Sequence, residues 1–175
     1  FDDFPISSVK NTTRYFRDYG NHATYYCSFN LMNKTCYGKK MFDINNIYSL
    51  LNNGNELGCH TFNHEDTLNI STNMLENSLM RNQKEIKKKF NINLKNFSYP
   101  KGRFSLNTKK LIYKKYDSAR STLFGINRQK IDLMSLKSIP LYEKYNSLNF
   151  IKNKILDCKN NGGWLIFYGH DIEKN

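Results

Sequence analysis

Segments with the periodicity of a helix alternate with short apolar segments along almost the whole chain, and this order restricts the possible folds more than any other feature. Residues 7–20 have the pattern of a helix closed by Gly20. Residues 23–29, ATYYCSF, are rich in the aromatic and β-branched residue types that favour a buried strand. Residues 42–54 give a second helix, and NELGC at 55–59 gives a second short strand. Such an alternation predicts a parallel sheet with helices packed against it.

The same alternation continues through the second half of the sequence. Apolar residues at helical spacing over residues 71–90 predict a long amphipathic helix, and LKNFSYP at 94–100 predicts a strand stopped by Pro100. We interpret WLIFYGHDI at 164–172, the most apolar stretch, as a strand buried on both faces. The remaining segments are predicted as helices at 107–116 and 147–161, and as strands at 117–121 and 136–142. The predicted fold class is α/β, as either a (β/α) barrel or an open doubly wound sheet, and the order of elements alone does not separate the two.

The composition narrows the classes of partner. The chain of 175 residues is long enough for one domain with a sizeable core, and no linker-like segment indicates a second. The formal net charge of +12 would suit an anionic partner such as nucleic acid, but the lysines are spread over the whole chain. The one dense run, at 84–89, falls on a predicted helix whose apolar residues point the other way, which favours a solvated face. We therefore expect no nucleic-acid partner.

The sequence also bears on location and on the state of the thiols. No apolar run reaches the roughly 18 residues that a membrane-spanning helix needs, and the mean hydropathy is −0.70. The sequence starts at Phe1 without a methionine or an export signal, so we expect a single domain, 1–175, whose natural N-terminus is missing. The compartment stays open for that reason, with the cytoplasm slightly favoured over the cell envelope or secretion. We interpret the scattered cysteines, none in C-x-x-C spacing, as free thiols: Cys27, Cys36, Cys59 and Cys158.

The segment CHTFNH at 59–64 places two of the four histidines of the chain four positions apart. An i,i+4 pair would put His60 and His64 on one side of a helical turn, where both imidazoles can bind one metal ion. This spacing also arises by coincidence, so the pair alone does not decide between a metal site and two unrelated histidines. The polar residues elsewhere in the chain are needed to decide it.

Each cluster of polar residues follows a predicted strand. FDD opens the sequence at the expected end of a strand, CHTFNH follows ELG, YPKG follows NFS, and His170 follows WLIFYG. The C-terminal ends of parallel strands are where (β/α) barrels collect their catalytic residues. We therefore expect these four segments to meet at one end of the sheet.

One carboxylate of the FDD segment and the two imidazoles would make the three-ligand set of a catalytic zinc site with an open coordination position. Such a site favours hydrolysis of an amide or ester. In this interpretation Asp2 takes a proton from water, His170 protonates the leaving group, and the proline-pinned YPKG turn offers backbone N–H groups to an oxyanion. Taken alone, FDD also fits a solvated surface loop, and His170 also fits a core histidine. His22, in the polar stretch GNHAT, is interpreted as a surface residue.

Taken in this order, the segments resemble the motifs of the polysaccharide deacetylases, the carbohydrate esterases of family 4 with a NodB-homology domain. That family has an FDD box, an H-[ST]-x-x-H motif, a proline-glycine box and an apolar strand that ends in histidine. Here they correspond to FDD at 1–3, HTFNH at 60–64, YPKG at 99–102 and WLIFYGHD at 164–171. Each motif is weak alone, but the four in this order are specific, and the resemblance covers almost the full length.

The resemblance implies a distorted (β/α) barrel with fewer than eight complete units. It also implies metal-dependent removal of N-acetyl or O-acetyl groups from a polysaccharide or glycoconjugate. Asp2 would be the general base and His170 the general acid. Asp3, His60 and His64 would bind a divalent metal, with zinc expected and cobalt or nickel as alternatives.

The resemblance further implies a substrate-facing side of the site. Tyr99, Pro100 and Lys101 of the YPKG box would contact the substrate or the oxyanion, and the backbone N–H of Lys101 would help to hold the oxyanion. Tyr168 would take the place of a leucine that packs on the acetyl methyl group in the family. The polymer, its linkage and the oligomeric state of the protein do not follow from these motifs.

Two parts of the family pattern are absent from this sequence. Ser98 stands where the proline box usually begins with an arginine that orients the base, and Arg103 is a candidate for the missing positive charge. No D-x-x-D-W box, which tunes the acid histidine in the family, is recognisable between Arg120 and Tyr145. These departures keep open a catalytically impaired domain that only binds a glycan, as the alternative to an active deacetylase.

Overall fold

The computed structural model of the protein describes residues 1–172, and its helices and strands alternate much as the sequence pattern predicts. The helices are α1 (Ile6–Asp18), α2 (Ile44–Asn52), α3 (Thr72–Phe90), α4 (Leu106–Tyr113) and α5 (Leu148–Asn161). The strands are β1 (Thr24–Cys27), β2 (Thr35–Cys36), β3 (Lys39–Lys40), β4 (Glu56–Cys59), β5 (Asn96–Ser98), β6 (Ser118–Phe124), β7 (Leu136–Pro140) and β8 (Phe167–Tyr168).

Six of the strands form one parallel sheet in the order β1-β4-β5-β6-β7-β8, which is curled into an incomplete (β/α) barrel. The first residues of the chain lie between its two outer strands. The N–H of Tyr26 in β1 donates to the carbonyl of Phe1 (2.8 Å), and the N–H of Asp2 donates to the carbonyl of Gly169, just past β8 (2.9 Å). The fold is therefore the predicted distorted barrel with fewer than eight complete units, and not the open doubly wound sheet.

The register of the sheet brings the ends of neighbouring strands together. Cys27 at the end of β1 is opposite Cys59 at the end of β4, and Cys59 is opposite Phe97 in β5. Because the strands are parallel, the residues that follow them emerge at the same end of the barrel. This end carries the polar clusters that the sequence places after its strands.

Helix α3 shows how local sequence specifies an element. The hydroxyl of Ser71 caps its first turn by accepting a hydrogen bond from the N–H of Met74, and Asn91 ends it in a left-handed conformation. The lysines of the run at 84–89 are exposed, which confirms the solvated face predicted for them. The opposite face of the helix is buried in the hydrophobic core through Leu75, Leu79 and Ile86.

One strand prediction is wrong, and one pair of strands was not predicted. The stretch at 164–172 is not a long strand buried on both faces: its strand is Phe167–Tyr168, paired with β7, and Trp164 forms an isolated bridge with Asn127 and is 46% exposed. The reason is its place, because β8 is the last strand of the sheet and α5 before it contributes no buried residue. The sequence pattern also missed the small antiparallel hairpin β2–β3, whose strands of two residues each are too short to show a periodicity.

Three simpler expectations agree with the structure. The four cysteines are free thiols, and His22 is exposed. Among residues 1–172, none of the helices combines the length and the hydrophobicity that crossing a bilayer requires.

Candidate metal centre

The predicted metal ligands lie on irregular backbone at one end of the barrel. His60 directly follows β4, and His64 comes four residues later in the same loop. This segment is not the helical turn that the i,i+4 spacing predicted, because Thr61 and His64 have positive φ angles of 64° and 58°. Asp3 has a positive φ of 60°. A left-handed backbone costs a non-glycine residue about 1–2 kcal/mol and is found preferentially at functional sites.

Three side-chain atoms from these segments converge on one point. Oδ1 of Asp3 lies 3.4 Å from Nε2 of His60 and 3.1 Å from Nε2 of His64. All three atoms lie within 4.8 Å of one another. Asp3 and His60 are buried, and His64 is half-buried. The structure thus brings together the three residues that were predicted to bind a metal.

The hydrogen bonding around this point is incomplete. Nδ1 of His60 lies 2.7 Å from the carbonyl oxygen of Ser98, so a neutral ring carries its proton on Nδ1 and a lone pair on Nε2. Oδ1 of Asp3 is buried without a hydrogen-bond partner. Burial, together with the neighbouring His60, lowers the pKa of His64. A cation would stabilise a buried carboxylate oxygen that has no hydrogen-bond donor and lies beside two imidazole nitrogens, so this donor set fits a divalent metal.

Asp2 lies beside this triad and has its own partner. Nη2 of Arg120 donates to both carboxylate oxygens, at 2.5 Å and 2.6 Å, and the hydroxyl of Ser98 lies 3.3 Å from Oδ1. All three side chains are buried. Burial alone would raise the pKa of Asp2, but the attraction of Arg120 and other nearby positive groups outweighs it and holds the pKa below its ordinary value. Asp2 is therefore ionised at neutral pH, the state in which it can accept a proton.

This contact corrects the role considered for Arg103. The guanidinium of Arg103 pairs with Asp66 and not with Asp2. Arg120 lies in β6, directly opposite Ser98 of β5 in the register of the sheet. Arg120 of the neighbouring strand thus supplies, beside Ser98, the positive charge that Ser98 does not provide.

His170 lies on the other side of Asp3, just past β8. Its Nε2 is 3.7 Å from Oδ2 of Asp3, and its side chain is 42% exposed, so it is not a core histidine. The hydroxyl of Tyr142 contacts Nδ1 of His170, and the two rings stack with their centroids 6.0 Å apart. Burial, with the charge of Asp2 nearby, raises the pKa of Tyr142, so its hydroxyl keeps its proton and stays a hydrogen-bonding partner of Nδ1. This contact orients the ring of His170 with Nε2 toward Asp3.

The YPKG segment turns toward the same site, but only part of it faces the cavity. Lys101 and Gly102 line the cavity, and both have positive φ angles, of 59° and 68°. Pro100 is buried. The side chain of Tyr99 is buried in the core, where its hydroxyl donates to the carbonyl of Met134 at 2.9 Å. The substrate contact predicted for Tyr99 is therefore corrected to a role in supporting the turn.

A cavity of about 630 Å³ contains the whole constellation. That volume lies in the range of small-molecule sites. Tyr168 lines it next to the Arg120 guanidinium, which lies 5.0 Å from the centre of the Tyr168 ring. The predicted contact of Tyr168 with an acetyl group stays a prediction. The cavity walls include both aspartates and all three histidines of the site: Asp2, Asp3, His60, His64 and His170.

Comparison with known families agrees with this geometry. Residues 1–117, more than half of the chain, match the family model described as polysaccharide deacetylase. This chain belongs to the polysaccharide deacetylase family. The matched region contains three of the four deacetylase motif segments, and the geometry around His170 adds the fourth. A search of curated protein sequences found no match.

Several solved structures share the fold. The Streptococcus pyogenes deacetylase PplD, determined in complex with acetate, matches with a TM-score of 0.77 at 21% identity, over 88% of this chain and 68% of that chain. IcaB from Ammonifex degensii matches with a TM-score of 0.72 at 14% identity, over 82% and 66%. BA3943 from Bacillus anthracis, a CE4 family pseudoenzyme, matches with a TM-score of 0.62 at 12% identity, over 91% and 48%. This chain thus spans between 48% and 68% of the length of these relatives.

Two residues of the candidate site were not found from the sequence. Arg120 offered a usable signal, since an arginine inside a short predicted strand must be paired if it is buried. No comparable signal distinguishes Tyr142 among the 12 tyrosines of the chain. Its role follows only from the packing of the segment after β7 against His170.

Proposed function

We propose that this chain is an active, metal-dependent deacetylase that hydrolyses N-acetyl or O-acetyl groups on a polysaccharide or glycoconjugate. The observation that carries the proposal is the convergence of Asp3 Oδ1 with the Nε2 atoms of His60 and His64. Two imidazoles and a carboxylate suit zinc, and cobalt or nickel can replace it. A divalent cation held there supplies Lewis-acid polarisation of the acetyl carbonyl and makes water nucleophilic near neutral pH.

The other residues of the site divide the proton transfers between them. Asp2, fixed by Arg120, accepts the proton of the attacking water. His170, oriented by Tyr142, donates the Nε2 proton of its imidazolium form to the leaving nitrogen or oxygen and becomes a neutral imidazole. The backbone N–H of Lys101 is assigned to the developing oxyanion, and Tyr168 to the acetyl methyl group.

The two reasons for considering a glycan-binding domain without catalytic activity no longer apply. They were the missing arginine of the proline box and the missing acid-tuning box. Arg120 contacts Asp2 and Tyr142 contacts His170, so that both catalytic groups have an orienting partner. These contacts favour an active enzyme.

Acetate release tests the proposal. We expect zinc-loaded protein to release acetate from N-acetylated glucosamine oligomers, and removal of the metal by a chelator to lower the rate by about 100-fold or more. Zinc, cobalt or nickel added back should restore the rate, whereas magnesium should not, because it prefers oxygen ligands. The measurement is enzymatic assay of acetate, with metal content followed by elemental analysis.

Two outcomes count against this proposal. One is full activity in protein that elemental analysis shows to be free of metal. The other is binding of acetylated oligomers by zinc-loaded protein without any acetate release, which would favour the binding domain.

Tyr142→Phe should lower kcat about tenfold while KM changes less than about twofold. The substitution removes the hydroxyl that fixes Nδ1 of His170 but keeps the aromatic ring that stacks on it. Steady-state kinetics on one acetylated oligomer measure both constants. Tyr145→Phe is the matched control, because Tyr145 is 66% exposed and packs on Tyr142 rather than on His170. An equal loss in both variants, or no loss in Tyr142→Phe, would show that the hydroxyl does not position the acid.

A further inference from the structure

The β2–β3 hairpin stands at the rim of the cavity and is closed by the two-residue turn Tyr37–Gly38. Cys36 pairs with Lys39 across the turn, and both turn residues have positive φ, of 52° and 72°. This is the geometry of a type I′ turn, whose first position favours asparagine, aspartate or glycine because other side chains are strained there. Tyrosine is therefore not the residue that the turn itself would select.

Packing does not explain Tyr37 either. Its side chain is 74% exposed, so the ring gains little from burial in the core. The ring instead lines the cavity and lies edge-on to His64, with the centroids 6.3 Å apart. A large aromatic side chain is thus held in solvent, on strained backbone, beside a predicted metal ligand. Residues that break a local folding rule in this way are concentrated at functional sites.

The hairpin is fixed relative to the reacting groups. Nζ of Lys39 lies 2.8 Å from Oδ2 of Asp171, the neighbour of His170. On the other side, Met41 forms a β-bridge with Pro5, close to Asp3. The hairpin that carries Tyr37 is therefore tied to both segments that carry the chemistry.

We propose that Tyr37 is a specificity-determining residue, whose ring stacks on the sugar ring next to the one that carries the reacting acetyl group. Pyranose rings present flat faces of C–H groups, which pack on the face of an aromatic ring. The enzyme then acts on oligomers or polymers of acetylated sugars in preference to monosaccharides and small acetyl esters. This inference rests on the proposed deacetylase function.

Chain-length dependence tests the inference. The probes are N-acetylated glucosamine oligomers from monomer to pentamer, in β-1,4 and β-1,6 linkage, together with 4-nitrophenyl acetate. We expect kcat/KM of the wild type to rise with chain length. Tyr37→Asn should lower kcat/KM for the tetramer about tenfold, mainly through KM, and leave hydrolysis of 4-nitrophenyl acetate unchanged. Tyr37→Trp should keep the preference for the tetramer.

Tyr37→Asn also removes the ring without endangering the fold, because asparagine suits this turn position. The matched control is Tyr19→Asn, at an exposed tyrosine (77%) outside the cavity, and it should behave as the wild type. The inference is overturned if Tyr37→Asn keeps the wild-type preference for long oligomers, or if hydrolysis of 4-nitrophenyl acetate falls in parallel with that of the tetramer.

A different result would show that the proposed deacetylase function itself is wrong. If zinc-loaded wild type releases no acetate from any probe, the deacetylase proposal fails. Calorimetric binding of the tetramer then decides the role of Tyr37. A roughly tenfold weaker affinity in Tyr37→Asn supports the stacking platform, and an unchanged affinity overturns it.

Discussion

Replacing Asp3 with alanine is expected to lower acetate release by on the order of 10³-fold or more. Asp3 supplies the one carboxylate of the three convergent ligand atoms, and its Oδ1 is the atom that both Nε2 nitrogens face. Without it, two imidazoles remain, too few to hold a catalytic metal tightly. Metal content should fall in parallel with activity. Acetate assay and elemental analysis of the same preparations measure both quantities.

The stability of the metal-free proteins separates this effect from unfolding. Oδ1 of Asp3 is buried without a hydrogen-bond partner, so Asp3→Ala should stay folded, with a free energy of unfolding within about 2 kcal/mol of that of the metal-free wild type. Zinc should then raise the melting temperature of the wild type and not that of the variant. Asp18→Ala, which removes an exposed carboxylate paired with Arg14, is the matched control and should change nothing. A variant that kept both zinc and activity would remove Asp3 from the ligand set.

Arg120→Met should destabilise the protein by about 3–5 kcal/mol and disable catalysis, because it leaves the Asp2 carboxylate buried without its cation. Methionine keeps much of the side-chain volume, so the loss is mainly electrostatic. Both side chains are almost completely buried, with 2% of Arg120 and 7% of Asp2 exposed. Denaturant unfolding measures the stability, and acetate release measures the catalytic effect.

The loss of stability in Arg120→Met should depend on pH in a definite direction. In the wild type the pKa of Asp2 is held below its ordinary value of 3.8, so its ionised form stabilises the fold above that pH. This contribution is lost only as the pH falls through the lowered, folded-state pKa. In Arg120→Met burial is no longer outweighed, so the pKa of Asp2 is raised and the ionised form destabilises the fold at neutral pH. The stability difference between the two proteins should therefore be larger at about pH 7 than at about pH 5.

A double-mutant cycle provides the control for this pair. Asp2→Asn combined with Arg120→Met should cost less than the sum of the single changes, with a coupling of about 2 kcal/mol. Arg14→Met removes an exposed partner of Asp18 and should cost less than about 1 kcal/mol at either pH. Additive effects at Asp2 and Arg120, or a loss independent of pH, would contradict the pairing.

The features of the fold and of the site that the sequence predicts correctly are those that the order of helices and strands determines. Alternating helices and apolar strands require a parallel sheet, and parallel strands deliver the residues after them to one end. The register of Cys27 with Cys59 is a case in point, because it places His60 at the end where FDD also lies. The meeting of FDD with the histidine pair could therefore be predicted, and the resemblance to the family then gave Asp3, His60 and His64 as the candidate metal ligands.

The parts that did not follow depend on backbone strain and on register. Thr61 is β-branched, and no local preference predicts its positive φ of 64°, so the histidine pair was assigned to a helical turn. The substitution of Arg120 for an arginine at Ser98 depends on the pairing of β5 with β6, which local patterns do not fix. The stretch at 164–172 was predicted to be a buried strand because its residues are apolar. It lies at the edge of the sheet, where apolar residues stay partly exposed.

The central claim is that Asp3, His60 and His64 share one cation. Anomalous diffraction at the zinc absorption edge, on crystals of the zinc-loaded protein, tests it most directly. We predict a peak at about 2.0–2.2 Å from Asp3 Oδ1 and from the Nε2 atoms of both histidines. A peak that lies elsewhere, such as at the free thiols of Cys36 or Cys158, with no peak between these three side chains, would contradict the account.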